Sequence, residues 1–366
     1  MTVNLTINGR RVTAPDGSTI LQAAQQAAIK IPTLCYHPDL STVGACRMCV
    51  VTVEKARGLQ TACTTPVFEG MVVNSESEEA RQTRRFVLEL LLTDHPNDCM
   101  KCEVNGDCEL QDLVYEYNVE WPEHHGLRHE YPIDSDPNPF VMVDKNKCIV
   151  CGRCIRACGE MQNRSVWGFA QRGFKSELVA GARQTMLEAR CESCGQCVAY
   201  CPTGALFDKM SVGAGRLSQV TKVRTTCAYC GVGCNFDLNI RDGRVVRVTS
   251  AADAPVNGLM LCVKGRYGYD YIHHPDRLNR PKVRQYLLEG AGTRAPGAPR
   301  GPWVEVDWDT ALDITARKLR AARDTTGPDS VGVLASAKCT NEENYLMNKL
   351  ARQVVGTNNI DHCARL

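Results

Sequence analysis

At 366 residues the chain is long enough for roughly two to four domains with buried cores. Its formal net charge of +2 gives no electrostatic case for a nucleic-acid or anionic-membrane partner, and its longest apolar run, Phe86 to Leu92, is too short to span a membrane. The sequence then opens on VNLTI and RVTA flanking Asn8-Gly9, which predicts a β-hairpin. Arg10-Arg11 lies in that hairpin with no apolar region after it, so it is not an export signal, and the expected location is cytoplasmic. Disulfides are disfavoured there, and metal becomes the reading for the 21 cysteines.

Thr19 to Gln22 reads as a capping box opening a helix through AAQQAA. A cysteine-rich loop, the strand VVTVE and a strand near Met71–Val73 follow, predicting a small sheet over one helix. Ser75 to Glu78 reads as a second capping box, starting a helix through EEARQTRRFVLELLLTD. Phe86 with Leu90, and Val87 with Leu91, stand at i, i+4 and predict its inward face. Four prolines within residues 120–140 mark a boundary, and residues 290–302 mark another loop. Beyond it, SVGVLAS predicts a buried strand and NEENYLMNKLARQVVG a helix ending at Gly356, the opening of an α/β domain.

The cysteines fall into groups. Residues 148–158 and 191–201 are both C-x2-C-x2-C-x3-C, the bacterial ferredoxin run, in which the fourth cysteine of each run serves the other cluster. Cys148, Cys151, Cys154 and Cys201 are therefore expected to hold one [4Fe–4S] cluster, and Cys191, Cys194, Cys197 and Cys158 a second. Gly159 stands where the first run would have proline. Zinc, the alternative for these two runs, more usually has two separated C-x2-C pairs, and it is also the alternative for the groups holding Cys35 and His95. Cys35, Cys46, Cys49 and Cys63 surround the small sheet; His95, Cys99, Cys102 and Cys108 form H-x3-C-x2-C-x5-C; and Cys227, Cys230, Cys234 and Cys262 form C-x2-C-x3-C-x27-C around a hairpin turning at Asp242-Gly243. His124, His125 and His129 fit no such spacing and read as solvated loop residues, while Cys339 and Cys363 belong to no group.

GACRMC resembles the ligand loop of complex-I-type [2Fe–2S] domains, and the group holding His95 resembles the histidine-ligated [4Fe–4S] domain of bacterial complex I, [FeFe]-hydrogenases and NAD-linked formate dehydrogenases. The group ending at Cys262 resembles the [4Fe–4S] domain of molybdenum/tungsten bis-pterin oxidoreductases, which implies that Lys264 lies between cluster and pterin. The segment ending in GTNNIDHCARL is similar to the approach to the active site in formate dehydrogenases. Together these imply an α+β multidomain chain: a β-grasp [2Fe–2S] domain (1–78), a histidine-ligated [4Fe–4S] domain (79–120), a double [4Fe–4S] ferredoxin domain (138–212, in halves 138–169 and 182–212), a bis-pterin-type [4Fe–4S] domain (220–277) and the beginning of an α/β molybdopterin oxidoreductase domain (278–366).

The resemblance implies one [2Fe–2S] and four [4Fe–4S] clusters and, in the full-length enzyme, Mo or W bis-molybdopterin guanine dinucleotide. It further implies oxidation of formate to CO2, with electrons passing to NAD+ through a partner FMN subunit and a small iron–sulfur subunit. No GxGxxG follows a strand in this chain. An electron-input subunit of a hydrogenase or complex-I-like assembly, and a stand-alone electron carrier, stay open as alternatives. In the resembled family the metal ligand, cysteine or selenocysteine, follows a C-A-R-x tetrapeptide. Here Cys363 to Leu366 is that tetrapeptide, so the expectation is a selenocysteine codon at position 367 and a 366-residue front portion inactive on formate by itself.

Overall fold

The computed structural model describes residues 1–122, 127–289 and 297–362. His124, His125, Cys363 and most of the 290–302 loop lie outside the described residues. Among the described residues no helix is long and apolar enough to cross a membrane. The chain divides into two units, Met1–Thr225 with Phe236–Tyr269, and Thr226–Asn235 with Asp270–Leu366.

The first unit begins with β1 (Thr2–Ile7) and β2 (Arg10–Pro15), paired antiparallel through a turn in which Asn8 and Gly9 both take positive φ. Helix α1 (Ile20–Gln26) starts at the Thr19–Gln22 capping box. With β3 (Val50–Val53), β4 (Gln60–Thr61) and β5 (Val72–Asn74) the strands form a sheet of order β2-β1-β5-β3-β4. β1 and β5 run parallel at its centre, and Ile20, Leu21, Ala23 and Ala24 of α1 pack into the sheet's core.

Helix α2 (Glu78–Asp94) corrects two expectations. Its N-cap is Ser77, whose hydroxyl accepts from Ala80 N; Ser75 instead is fully buried and exchanges hydrogen bonds with Asn8. Its buried row is Ala80, Arg84, Leu88 and Leu92, whereas Phe86 and Leu90 are 59% and 53% exposed. Val87 and Leu91 flank the buried row and pack against its apolar cluster. Arg84 lies inside because β3 and the residues before it offer acceptors: Met48 O at 3.1 Å and Val50 O at 2.7 Å, with Tyr117 Oη at 2.8 Å.

After α3 (Glu109–Glu116) comes a twofold arrangement. β6 (Val141–Val143) pairs antiparallel with β9 (Leu206–Asp208), enclosing a second antiparallel pair, β7 (Trp167–Ala170) and β8 (Glu177–Ala180). The short helices α4 (Arg153–Arg156) and α5 (Gln196–Ala199) each follow a left-handed glycine, Gly152 and Gly195. Val150 and Ser193 also have positive φ, so both cysteine runs turn through the same backbone path. β10 (Thr221–Thr226), β11 (Asn235–Arg241) and β12 (Arg244–Ser250) form a three-stranded sheet. Its hairpin turns at Asp242-Gly243 with positive φ at both residues, and α6 (Val263–Tyr267) follows it.

In the second unit, β13 (Lys282–Arg284) leads to α7 (Gln285–Leu288) and pairs antiparallel with β14 (Trp303–Glu305). α8 (Trp308–Thr326) is capped by Asp307. β15 (Val333–Ala335) pairs parallel with β16 (Ile360–His362), and between them runs α9 (Asn341–Lys349), continued by a π turn through Val355 that ends at left-handed Gly356. The strand read as buried is only half so: Val331 and Val333 are covered, but Leu334 is 89% exposed.

Candidate metal centres

None of the twenty described cysteines is in a disulfide. Cys35 N donates to Cys46 Sγ, and Cys46 N to Cys35 Sγ, both at 3.4 Å. Cys63 lies in electrostatic range of Cys49, Cys35 and Cys46, which gathers this quartet beside the five-stranded sheet. Hydrogen bonding from Cys46 pulls the Cys35 thiol down to about 5, and Cys63 likewise brings Cys49 to about 7; their partners Cys46 and Cys63 are pushed up.

His95 caps the C-terminus of α2. Its Nδ1 lies 3.1 Å from Pro96 O, and because a carbonyl only accepts, Nδ1 carries the proton. Nε2 is left with a bare lone pair, buried and without a hydrogen-bond partner among the described residues. Burial lowers the imidazole below its ordinary value and keeps it neutral, as a metal-binding ring must be. His95, Cys99 and Cys108 line one cavity of about 550 Å³. Cys102 lies in electrostatic range of both Cys99 and Cys108.

The two ferredoxin-like runs exchange their last members. Cys201 is in electrostatic range of Cys148, Cys151 and Cys154, and these four line a small cavity of about 20 Å³. Cys158 reaches Cys191, Cys194 and Cys197 in the same way. Burial is the leading cause that raises Cys148 to about 11, Cys151 to about 12, and Cys154 and Cys197 further. A buried thiolate is costly unless a cationic metal accepts it, so these enclosed quartets and the orphaned His95 Nε2 fit iron–sulfur groups. Among the described residues no three His, Cys, Asp or Glu side chains converge on a single-ion site. A cluster spreads its ligands over several irons and does not require that.

The sites adjoin. A Cβ on Gly204 would meet Cys102 Sγ at 2.9 Å, and Glu109 N donates to Pro202 O, so the residues after Cys201 pack on the loop holding Cys102. A Cβ on Gly195 would meet Arg266 Cδ at 2.3 Å; Arg266 Nε donates to Cys194 O at 2.9 Å. Cys227, Cys230 and Cys234 share the Thr226–Asn235 loop of the second unit, closed by Cys227 N to Cys234 O at 2.8 Å. Cys262 caps α6 in the first unit and is exposed, and Lys264 lies on that helix. Cys339 is exposed. His129 corrects its reading as a solvated residue: it is partly buried, 2.7 Å from Asp94 Oδ2, and stacked on Phe174.

The spacing did not disclose the buried cations around these loops. Arg153 makes a bidentate pair with Glu109 at 2.6 and 2.8 Å, Lys147 lies 3.1 Å from Asp144, and Arg156 reaches Cys35 O at 2.6 Å.

Five families match successive segments: a 2Fe-2S iron-sulfur cluster binding domain over residues 1–78, the NADH-ubiquinone oxidoreductase-G iron-sulfur binding region over 84–122, the ferredoxin-like domain of NADH-quinone oxidoreductase subunit 3 over 138–207, the molybdopterin oxidoreductase Fe4S4 domain over 220–274, and molybdopterin oxidoreductase over 277–366. The NADPH-Fe(3+) oxidoreductase subunit alpha of Geobacter sulfurreducens is 37% identical over all of this chain and 40% of its own length. An NADH-quinone oxidoreductase chain of the G type from Rhizobium meliloti is 35% identical over 99% of this chain and 40% of its own. A Staphylococcus aureus protein provisionally named a formate dehydrogenase is 29% identical over 99% and 39%. The chain thus spans about 40% of the length of these curated relatives. A chain in the crystal structure of an NAD+-reducing [NiFe]-hydrogenase aligns over 57% of this chain and 87% of its own, at 31% identity and a TM-score of 0.50.

Proposed function

We propose that this chain, which belongs to the NADH-quinone oxidoreductase G-like molybdopterin oxidoreductases, is the electron-carrying front portion of a formate dehydrogenase. The carrying observation is the exchange of Cys201 and Cys158 between the two cysteine runs, which gives two quartets of buried and half-buried thiols in one small region.

Cys35, Cys46, Cys49 and Cys63 would hold a [2Fe–2S] cluster. His95 with Cys99, Cys102 and Cys108 would hold a [4Fe–4S] cluster, and the two exchanged quartets one [4Fe–4S] cluster each. Cys227, Cys230, Cys234 and Cys262 would hold the last, with Lys264 leading to a Mo or W bis-molybdopterin guanine dinucleotide. When bound, the clusters supply one-electron storage and transfer, and the pterin-held metal supplies the redox chemistry of formate and CO2. The protein's part is to hold these ligands in place and to hydrogen-bond their sulfurs. Val166 N donates to Cys158 Sγ and Ser193 N to Cys191 Sγ, both at 3.3 Å. Such N–H donors stabilise negative charge on sulfur and withhold water from it.

Formate as substrate rests on the HCARL segment and on the provisional name of the Staphylococcus relative. NAD+ as acceptor, through an FMN subunit and a small iron–sulfur subunit, rests on the NADH-quinone oxidoreductase relative and the NAD+-reducing hydrogenase. The Geobacter relative favours a second reading, in which NADPH feeds the same clusters and ferric iron accepts. The test is purification of the encoded protein with whatever co-purifies from its host, followed by anaerobic assays. Formate-dependent NAD+ reduction is the expected result. NADPH-dependent ferric reduction without formate activity would replace it with the second reading.

A further inference from the structure

Arg156, the last residue of α4, is 8% exposed, and all its acceptors are backbone carbonyls. Nη2 donates to Cys35 O at 2.6 Å and to Cys151 O at 3.3 Å, Nη1 donates to Ser41 O, and Nε to Gly152 O at 3.3 Å. Two other buried cations nearby are neutralised by contact, Arg153 by Glu109 and Lys147 by Asp144. Among the described residues no carboxylate lies within ion-pair distance of Arg156. Glu160 is in electrostatic range, but it spends its oxygens on Ser41.

A buried guanidinium with only neutral acceptors is poorly compensated. One anionic species would supply what is missing, and the two carbonyls it shares point to which. Cys35 and Cys151 belong to different proposed ligand sets, the [2Fe–2S] quartet and the quartet completed by Cys201. Thiolate-ligated clusters carry net negative charge, and each gains one more negative charge on reduction. A fixed cation in a low-dielectric interior stabilises the reduced form more than the oxidised form.

We propose that Arg156 is a shared electrostatic set-point, a positioning residue that raises the reduction potentials of both adjoining clusters at once. The proposal rests on the ligand sets above. In the test reaction one electron from a mediator enters a cluster, and no bond to the protein forms or breaks.

The experiment is an EPR-monitored redox titration of the iron-loaded full chain, with iron content measured on every sample. Arg156→Gln should keep full iron and lower both midpoints, each by about tenfold in the reduction equilibrium, or about 59 mV for one electron. Arg156→Lys, which keeps the charge but not the planar fork, should recover most of that shift. Should the Gln variant fail to load, Arg156→Met, which also removes the charge, is read in its place. Unchanged midpoints at full iron, or equal shifts in the Lys and charge-free variants, would each overturn the set-point. Absence of a [2Fe–2S] signal from loaded wild type would instead overturn the ligand reading, and this proposal with it.

Discussion

The proposed exchange of fourth ligands makes a prediction that counts in whole clusters. Cys201 adjoins Cys148, Cys151 and Cys154, and Cys158 adjoins Cys191, Cys194 and Cys197. A fully loaded chain should carry about 18 iron atoms, in one two-iron and four four-iron clusters. Cys201→Ala removes a single thiolate and should cost at most one cluster, leaving about 14. The double variant Cys148→Ala with Cys201→Ala should lose no more iron than either single variant, because both thiols serve one site. Cys194→Ala with Cys201→Ala should lose two clusters and fall to about 10. Alanine is preferred to serine because a serine oxygen can still bind iron. The assay is colorimetric iron after anaerobic reconstitution, with EPR to identify which signal disappears. Non-additivity in the Cys148 pair and additivity in the Cys194 pair is the expected pattern. The reverse pattern would mean that each run closes on its own fourth cysteine, and the crossed assignment would fail.

Three further outcomes follow from single side chains. His95→Cys should keep its cluster but shift the midpoint negative by more than about 60 mV, because a thiolate adds charge where a neutral imidazole stood; His95→Ala should lose that cluster, and an unchanged potential in the Cys variant would exclude His95 as a ligand. Arg84→Ala orphans two buried carbonyls and the Tyr117 hydroxyl, and should destabilise the N-terminal unit by about 3–5 kcal/mol, read as a lowered first transition in thermal unfolding. Burial raises Asp208 from 3.8 to about 6, so its contribution is present below pH 4 and lost as pH rises through 6. Asp208→Asn should therefore gain on wild type between pH 5 and pH 8, by at most about 3 kcal/mol, and a gain on acidification instead would reverse the assigned sign.

What the sequence disclosed was local. Asn8-Gly9 and Asp242-Gly243 declare their turns because both positions need positive φ, which few other pairs supply. Thr19 and Gln22 sit in a capping box whose partners are three residues apart. The cysteine spacings are legible for the same reason, since short loops round a ligand group leave a short repeat. Three misreadings were settled at a distance. Phe86 and Leu90 obeyed helical periodicity, yet the face that turned inward was the one carrying Arg84, because the carbonyls of Met48 and Val50 are presented there. Ser75 had the right spacing for a cap but was claimed by Asn8, 67 residues earlier. His129 looked solvated until Asp94 and Phe174 came to meet it.

The same distinction bears on how the centres are built. A thiol quartet drawn from one run could load as an independent loop, but one that borrows Cys201 or Cys158 cannot. In the proposed assignment each site would be complete only after the two halves, joined through β7 and β8, have packed together. Arg156 extends that dependence to the N-terminal domain, since its guanidinium is satisfied only when the Cys35 loop lies against Cys151. Arg153 does the same for α3 through Glu109, and Thr203 ties the end of the second run to Lys147 O at 2.8 Å. In this proposal the short-range motifs choose which atoms become ligands, while buried cations and crossed thiols make the sites form together. For one-electron transfer the second decision matters as much as the first, because centres must be close and fixed to exchange electrons at all. A chain organised this way would lose transfer between centres before it lost any one of them, and Arg156→Gln, with iron intact and potentials moved, is the variant that should show it.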